Sequence, residues 1–282
     1  MSTQNEVEVS YDVSNDFFRL WLDERMSYTC GLFEGTNNLE EAQFKKHEWH
    51  ARAAKLDSTK RLLDIGCGWG ANVEHQVKVS GVKEAVGITL STAQLEECKR
   101  KDVPRAEFLL CDYRDFAPKQ KFDAVISLCM MEHIATPEDA REGRHIDMYR
   151  DYFRRAHEWT NPGAWFGLQT ILRNRVPRIK EDLVDVNWLT YEIFPGGLSL
   201  RLEDVIKAVN PYWEVMEVYT RREHYEKTTA EWLRRMRLHE TEIRQKWGNK
   251  VFDDYDRYLR TCVRAFQMHY QSLAQYALRR ID

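Results

Sequence analysis

The sequence predicts one doubly wound α/β domain, with a mostly parallel seven-stranded sheet, added N-terminal helices and a helical insertion before the last strand. Three observations carry that reading. After about residue 60, short apolar runs alternate with amphipathic stretches, the pattern of strands joined by crossover helices. The first of those runs ends in a glycine-rich turn, Gly66–Cys67–Gly68–Trp69–Gly70, where such a fold opens its first helix. The 282 residues, 43% of them hydrophobic, suffice for one substantial core, and no low-complexity linker or internal repeat divides them.

The elements follow in order. Residues before 60 read as amphipathic helices, with 16–22 (DFFRLWL) apolar on one face. Residues 61–65 (RLLDI) form a buried strand, followed by a helix over 69–79. Residues 84–89 make a second strand, and Ser91 caps a helix to about 101. Strands at 107–111 and 122–128 come next, then one long helix over about 138–158, ended by Asn161–Pro162–Gly163. A fifth strand covers 164–171, and the stretch to Phe194–Pro195–Gly196–Gly197 reads as polar and irregular. Residues 213–220 alternate as a sixth strand, and helices over 226–247 and 250–268 are split at Gly248. The ending 272–279 (SLAQYALR) suits a last strand, with a helix nearly as compatible. This divides the domain into an N-terminal helical cap (1–58), a cofactor-binding core (59–172) and substrate-side segments with sheet completion (173–282).

Composition narrows function. A net charge of −3 is not the basic footprint of a nucleic-acid binder. No run reaches the roughly 18 apolar residues of a membrane helix, and the opening MSTQNEVEVS has no signal-peptide pattern. Six cysteines without metal-ligand spacing point to reduced thiols in a cytoplasmic protein, and His47 with His50 reads as a partly exposed helix face rather than a metal site. Aromatic residues make up 12% of the chain, nine of them Trp, and most are expected in the core.

The glycine turn identifies a cofactor class. Asp64 stands at the strand's carboxyl end, and the spacing is GxGxG rather than the GxGxxG of a dinucleotide site. An unpaired Asp repels a pyrophosphate but suits a ligand with an ammonium and hydroxyls. S-adenosylmethionine has both and no phosphate. Asp64, Gly66, Cys67 and Gly68 are therefore assigned to it. Thr89, Leu90 and Gln94 can offer polar groups to its ribose, and Asp112, Tyr113 and Arg114 follow the third strand where an adenine would lie.

Several segments extend this. Residues 11–20 (YDVSNDFFRL), followed by Tyr28–Thr29–Cys30, resemble the N-terminal signature of the cyclopropane-fatty-acid synthase and mycolic-acid cyclopropane synthase family. So do 87–91 (GITLS) with Gln94, Met131–Glu132–His133, 192–197 (EIFPGG), 224–228 (HYEKT) and 258–262 (YLRTC). The resemblance implies a class I, Rossmann-like methyltransferase that moves a methyl group from S-adenosylmethionine to an alkene, leaving S-adenosylhomocysteine. It also implies a bound bicarbonate as base, caged by Cys30, Glu132, the fifth-strand residue at 169 and Tyr225. By the same resemblance Tyr11 is expected among the catalytic residues, and Tyr28 and Thr29 against the cofactor. At 169 the family has histidine and this chain has Gln, which hydrogen-bonds but neither carries charge nor relays a proton. That leaves bicarbonate and ring closure open. The 136–146 segment is longer and more charged than the family's and reads as a solvated loop and helix start. Cys262 is expected to pack within its helix.

The expected substrate is an apolar small molecule, a lipid or a carrier-bound acyl chain, with peripheral membrane contact through the basic C-terminal helices and an oligomer both compatible. A tailoring methyltransferase acting on a polyketide, terpenoid or aromatic compound is the alternative within the same fold. A non-catalytic binding module is the alternative outside it.

Overall fold

A computed structural model describes residues 13–282, so Tyr11 lies outside the described residues. Its centre is a seven-stranded sheet: β1 (Arg61–Ile65), β2 (Glu84–Thr89), β3 (Ala106–Leu110), β4 (Phe122–Leu128), β5 (Thr160–Arg173), β6 (Trp213–Thr220) and β7 (Gln271–Arg280). The strand order is β3-β2-β1-β4-β5-β7-β6. β1 to β5 pair in parallel, whereas β7 runs antiparallel between β5 and β6. The order therefore reverses between β1 and β4, which opens a crevice at their carboxyl ends.

β7 settles the strand-or-helix ambiguity of the C-terminus. Residues 272–278 are buried without alternation because both faces of this central strand are covered. The helix before Asn161–Pro162–Gly163 ends at Glu158 as expected, but β5 begins before that tripeptide and not at residue 164. The strand starts at Thr160 and passes through that tripeptide, and its pairing with β4 shifts register between Phe122 and Ala124 to absorb the irregularity.

Among the described residues the helices are α1 (Asn15–Arg19), α2 (Leu39–Ala53), α3 (Ala71–Lys78), α4 (Thr92–Arg100), α5 (Pro137–Arg141), α6 (His145–Glu158), α7 (Lys180–Trp188), α8 (Leu202–Val209), α9 (Arg222–Leu238), α10 (Glu240–Trp247) and α11 (Asn249–Gln267). Ser91 caps α4 as expected, its hydroxyl accepting from the Gln94 amide at 3.2 Å. The single helix expected over 138–158 is two. Thr136 and Asp139 form a capping box on α5, and Gly143, at φ 75°, breaks the chain before α6. The stretch expected to be irregular after β5 contains α7 and a π-helical turn (Leu189–Ile193), and α8 follows it.

The core has two parts that matter for the site. One face of the sheet packs on α6 and α8 through Tyr149, Tyr152, Phe153, Phe166 and Trp213. A second cluster joins α1 to α9–α11 through rings: Phe17 meets Tyr255 at 4.7 Å between centroids, and Trp232 meets Tyr28 at 5.2 Å. This aromatic cluster roofs the crevice. No helix among the described residues is long and apolar enough to cross a membrane.

Candidate active site

A large pocket occupies the crevice, and it has a polar and an apolar end. The polar end starts where β1 delivers Asp64 into the glycine turn. Gly66 has φ 81°, and a Cβ there would meet Met130 Cγ at 2.8 Å, so only glycine lets the turn lie this close to the β4 loop. Gly68, also left-handed, and Cys67 continue the wall. Asp64 Oδ2 accepts from Asn72 Nδ2 at 2.9 Å, but the buried Oδ1 has no partner among the described residues. Burial pushes this carboxyl up to about 7, against the opposing Asn72 bond and the Lys46 charge. A buried carboxylate oxygen with no donor is suited to an incoming ammonium. The donor set therefore fits S-adenosylmethionine.

Thr89 and Leu90 line the same end, with Gln94 placed by α4; the Thr89 hydroxyl donates to Gln94 Oε1 at 2.7 Å. Asp112 and Tyr113 line it after β3. Burial alone would raise Asp112, yet the Arg114 guanidinium and backbone amide hold it below the ordinary carboxylate range. Arg114 itself lies outside the wall and grips Asp112 from the solvent side.

The apolar end is built from Ile171, Leu189, Phe194, Leu198, Phe266 and Cys262, with Tyr28, Tyr225 and Tyr258 presenting rings. Tyr225 stacks on Phe266 at 4.7 Å, and Tyr28 donates its hydroxyl to Tyr258 at 2.9 Å. Cys262 is more than a packing residue, since it reaches the wall. Burial pushes its thiol up to about 12, so it stays neutral.

Glu132 sits where the two ends meet, on a 3₁₀ turn (Met131–His133) after β4. Its Oε1 accepts from the Ile171 amide at 2.5 Å, and its carbonyl accepts from Leu198 N at 2.8 Å, which draws the 194–198 segment around it. Among the described residues Oε2 is buried with no partner at hydrogen-bond distance. Burial pushes the carboxyl up to about 7, against the Ile171 amide, its own backbone amide and the Thr170 hydroxyl. His133 beside it is pushed down to about 4 by burial and is neutral.

Two expected residues stand behind the wall rather than in it. Cys30 is fully buried, its Sγ 3.2 Å from the Gly31 carbonyl, and Gln169 is fully buried beneath Cys129. The wall in turn holds a residue that spacing did not reveal. Lys46 on α2 reaches Thr29 Oγ1 at 3.0 Å; burial pushes its ammonium down to about 8, opposed by Asp23. Its signal was present: it shares a helix face with Ala42, Gln43, Trp49, His50 and Ala53, all buried. His47 and His50 lie on that face too, fully buried rather than partly exposed, and His47 Nδ1 lies 3.1 Å from Asn72 Oδ1. No cluster of three or more metal-ligating side chains occurs among the described residues.

Known proteins resemble this chain over nearly its whole length. The family model for mycolic acid cyclopropane synthetase matches residues 1–276. Cyclopropane mycolic acid synthase 2 of Mycobacterium bovis is 31% identical, the match covering 96% of this chain and 93% of that one. The cyclopropane synthase MmaA2 from Mycobacterium tuberculosis superposes with a TM-score of 0.90 at 28% identity, over 99% of both chains. Mycolic acid cyclopropane synthase CmaA1 complexed with SAH and CTAB gives 0.89 at 27%, also over 99% of both. A protein with this sheet order, this cofactor end and a family match over nearly its whole length is an S-adenosylmethionine-dependent methyltransferase, and the chain belongs to the mycolic acid cyclopropane synthetase family.

Proposed function

We propose that the chain methylates an alkene carbon within a long apolar substrate such as an unsaturated acyl chain, with core residues 59–172 holding the cofactor and 173–282 forming the substrate side. The single observation that carries this is the Glu132 carboxylate, with a buried oxygen unpartnered among the described residues, at the junction of a cofactor-shaped end and an aromatic, apolar end.

S-adenosylmethionine supplies an electrophilic methyl group. The chain's residues do the rest. Asp64 and the glycine turn orient the cofactor, with Thr89, Gln94, Asp112 and Tyr113 along its length. The rings of Tyr28, Tyr225 and Phe266 exclude water and hold an alkene in line, because a π bond is too weak a nucleophile to compete with solvent. Methyl transfer leaves a positive charge on the substrate carbon. Ring faces and the Glu132 carboxylate stabilise it.

The test is incubation with S-adenosylmethionine carrying a deuterated methyl and a phospholipid with a cis-monounsaturated chain, followed by mass spectrometry. Label is expected on the unsaturated chain and none on its saturated analogue. Two retained deuteria mark ring closure and three mark a methyl branch. Label that appears only on an added phenol or amine would overturn the alkene reading and favour a tailoring enzyme.

A further inference from the structure

The resemblance implies a bicarbonate caged by Cys30, Glu132, residue 169 and Tyr225, yet the residues present do not fit one. Gln169 Oε1 accepts from Gln275 Nε2 at 2.9 Å, with His50 Nε2 3.5 Å away, and Gln169 Nε2 points to Cys129 Sγ at 3.4 Å. Its amide is used by its own neighbours. Cys30 is turned to the Gly31 carbonyl, with the Thr228 hydroxyl 4.0 Å from its sulfur. Cys129, unlike Cys30, does line the pocket. It is held at φ 54°, a left-handed conformation that a residue with a Cβ rarely adopts, directly after β4. Its backbone amide donates to the Gln169 carbonyl at 2.8 Å, which fixes it there.

Charge points the same way. A second anion beside Glu132 needs a cation, and His50 is neutral because burial pushes it down to about 3. Lys46 lies within electrostatic range of Cys129 and Cys30, but it is anchored on Thr29 and its charge is shared with Asp23 and Asp64. Among the described residues Glu132 Oε2 is buried without a partner at hydrogen-bond distance, although the Thr170 hydroxyl is near enough to lower the carboxyl.

We infer that this enzyme works without bicarbonate: the Cys129 side chain closes the space a planar anion would need, and Glu132 Oε2 itself accepts the proton released after methyl transfer. The inference rests on the alkene-methylation reading above. The electron pair of the broken C–H bond forms the new double bond or ring bond, and the proton passes to the carboxylate and then to solvent.

The test pairs binding with turnover. Calorimetry of the S-adenosylhomocysteine-loaded protein with sodium bicarbonate is expected to show no saturable heat, and turnover in carbon-dioxide-depleted buffer is expected to match that with bicarbonate restored. Saturable binding, or stimulation by more than about tenfold, would overturn the inference. Glu132→Gln is expected to stop turnover with or without bicarbonate, and rescue by the anion would also overturn it. The double variant Cys129→Gly, Gln169→His reopens the space and supplies a group able to carry charge, so it is expected to gain bicarbonate heat. Cys129→Gly alone suits the left-handed backbone and serves as the folding control, checked by circular dichroism. A folded double variant that stays silent would refute the role given to these two side chains. Failure of every alkene substrate, with wild-type calorimetry silent, would remove the alkene reading while leaving the exclusion of the anion standing.

Discussion

Replacing Glu132 by Gln should damage catalysis and stabilise the fold at alkaline pH, and both follow from one buried carboxylate. A unit positive charge about 4 Å from it, at an effective dielectric near 20, is stabilised by about 4 kcal/mol. Removing the charge should therefore lower kcat by about a thousandfold. The stability effect comes from the raised carboxyl. Its folded value is about 7 against an ordinary 4.5. The folded state thus holds the proton more tightly, and this group's contribution is fully present below about 4.5 and lost as pH rises through about 7. At pH 8 the ionised carboxylate costs about 3 kcal/mol, from about 1.4 kcal/mol per pKa unit. Gln removes that cost and keeps the Ile171 bond through its own carbonyl, but its amide nitrogen lacks an acceptor, which takes back about 1–2 kcal/mol. Urea denaturation at pH 5 and pH 8 reads the difference. The variant should come out about 1–2 kcal/mol more stable than wild type at pH 8 and slightly less stable at pH 5. Near-normal kcat together with lower stability at pH 8 would refute the reasoning.

Three further substitutions test other parts of the account. Asp64→Asn keeps the Asn72 contact but removes the charge facing the cofactor ammonium; calorimetry with S-adenosylhomocysteine should show affinity down by about 2 kcal/mol, or roughly thirtyfold. Gly66→Ala puts a methyl 2.8 Å from Met130 Cγ at φ 81°, so thermal denaturation should show a loss of about 1–3 kcal/mol along with weaker cofactor binding. Trp232→Ala empties the fully buried roof between Trp21, Tyr28 and Tyr225 and should cost about 3–5 kcal/mol by chemical denaturation.

The sequence made the sheet legible because β1, β2, β4 and β6 are short, apolar or alternating runs bounded by turn residues, and their limits coincide with the observed strands. It was less informative where local signals and tertiary pairing disagree. Asn161–Pro162–Gly163 looks like a terminator, yet β4 pairs with Thr160 before it and Trp165 after it, so the strand continues across it. α7 has no buried residue to mark it, so its 9 residues read as irregular chain. In the pocket, motif spacing gives a shared neighbourhood but not the layer. Tyr28, Asp64, Glu132 and Tyr225 face the pocket, while Cys30 and Gln169 stand one layer back. Cys129 carried no sequence signal at all, because a left-handed backbone is ordinarily flagged by glycine or asparagine. The rings divide in the same manner: Tyr28, Tyr113, Tyr225, Phe194 and Trp69 line the pocket, whereas Trp232 and Trp159 are core.

The central claim is that a substrate carbon bearing positive charge sits beside Glu132 at the junction of the two pocket ends. A crystal structure of the protein with S-adenosylhomocysteine and a single-chain quaternary ammonium amphiphile tests this most directly, since the fixed cation stands in for the methylated carbon. The account predicts the nitrogen against Glu132 Oε2, between the cofactor sulfur and the Tyr225 ring, with the alkyl chain running past Phe194 and Leu198. A cation bound at the solvent mouth, with Glu132 facing only hydrocarbon, would contradict it.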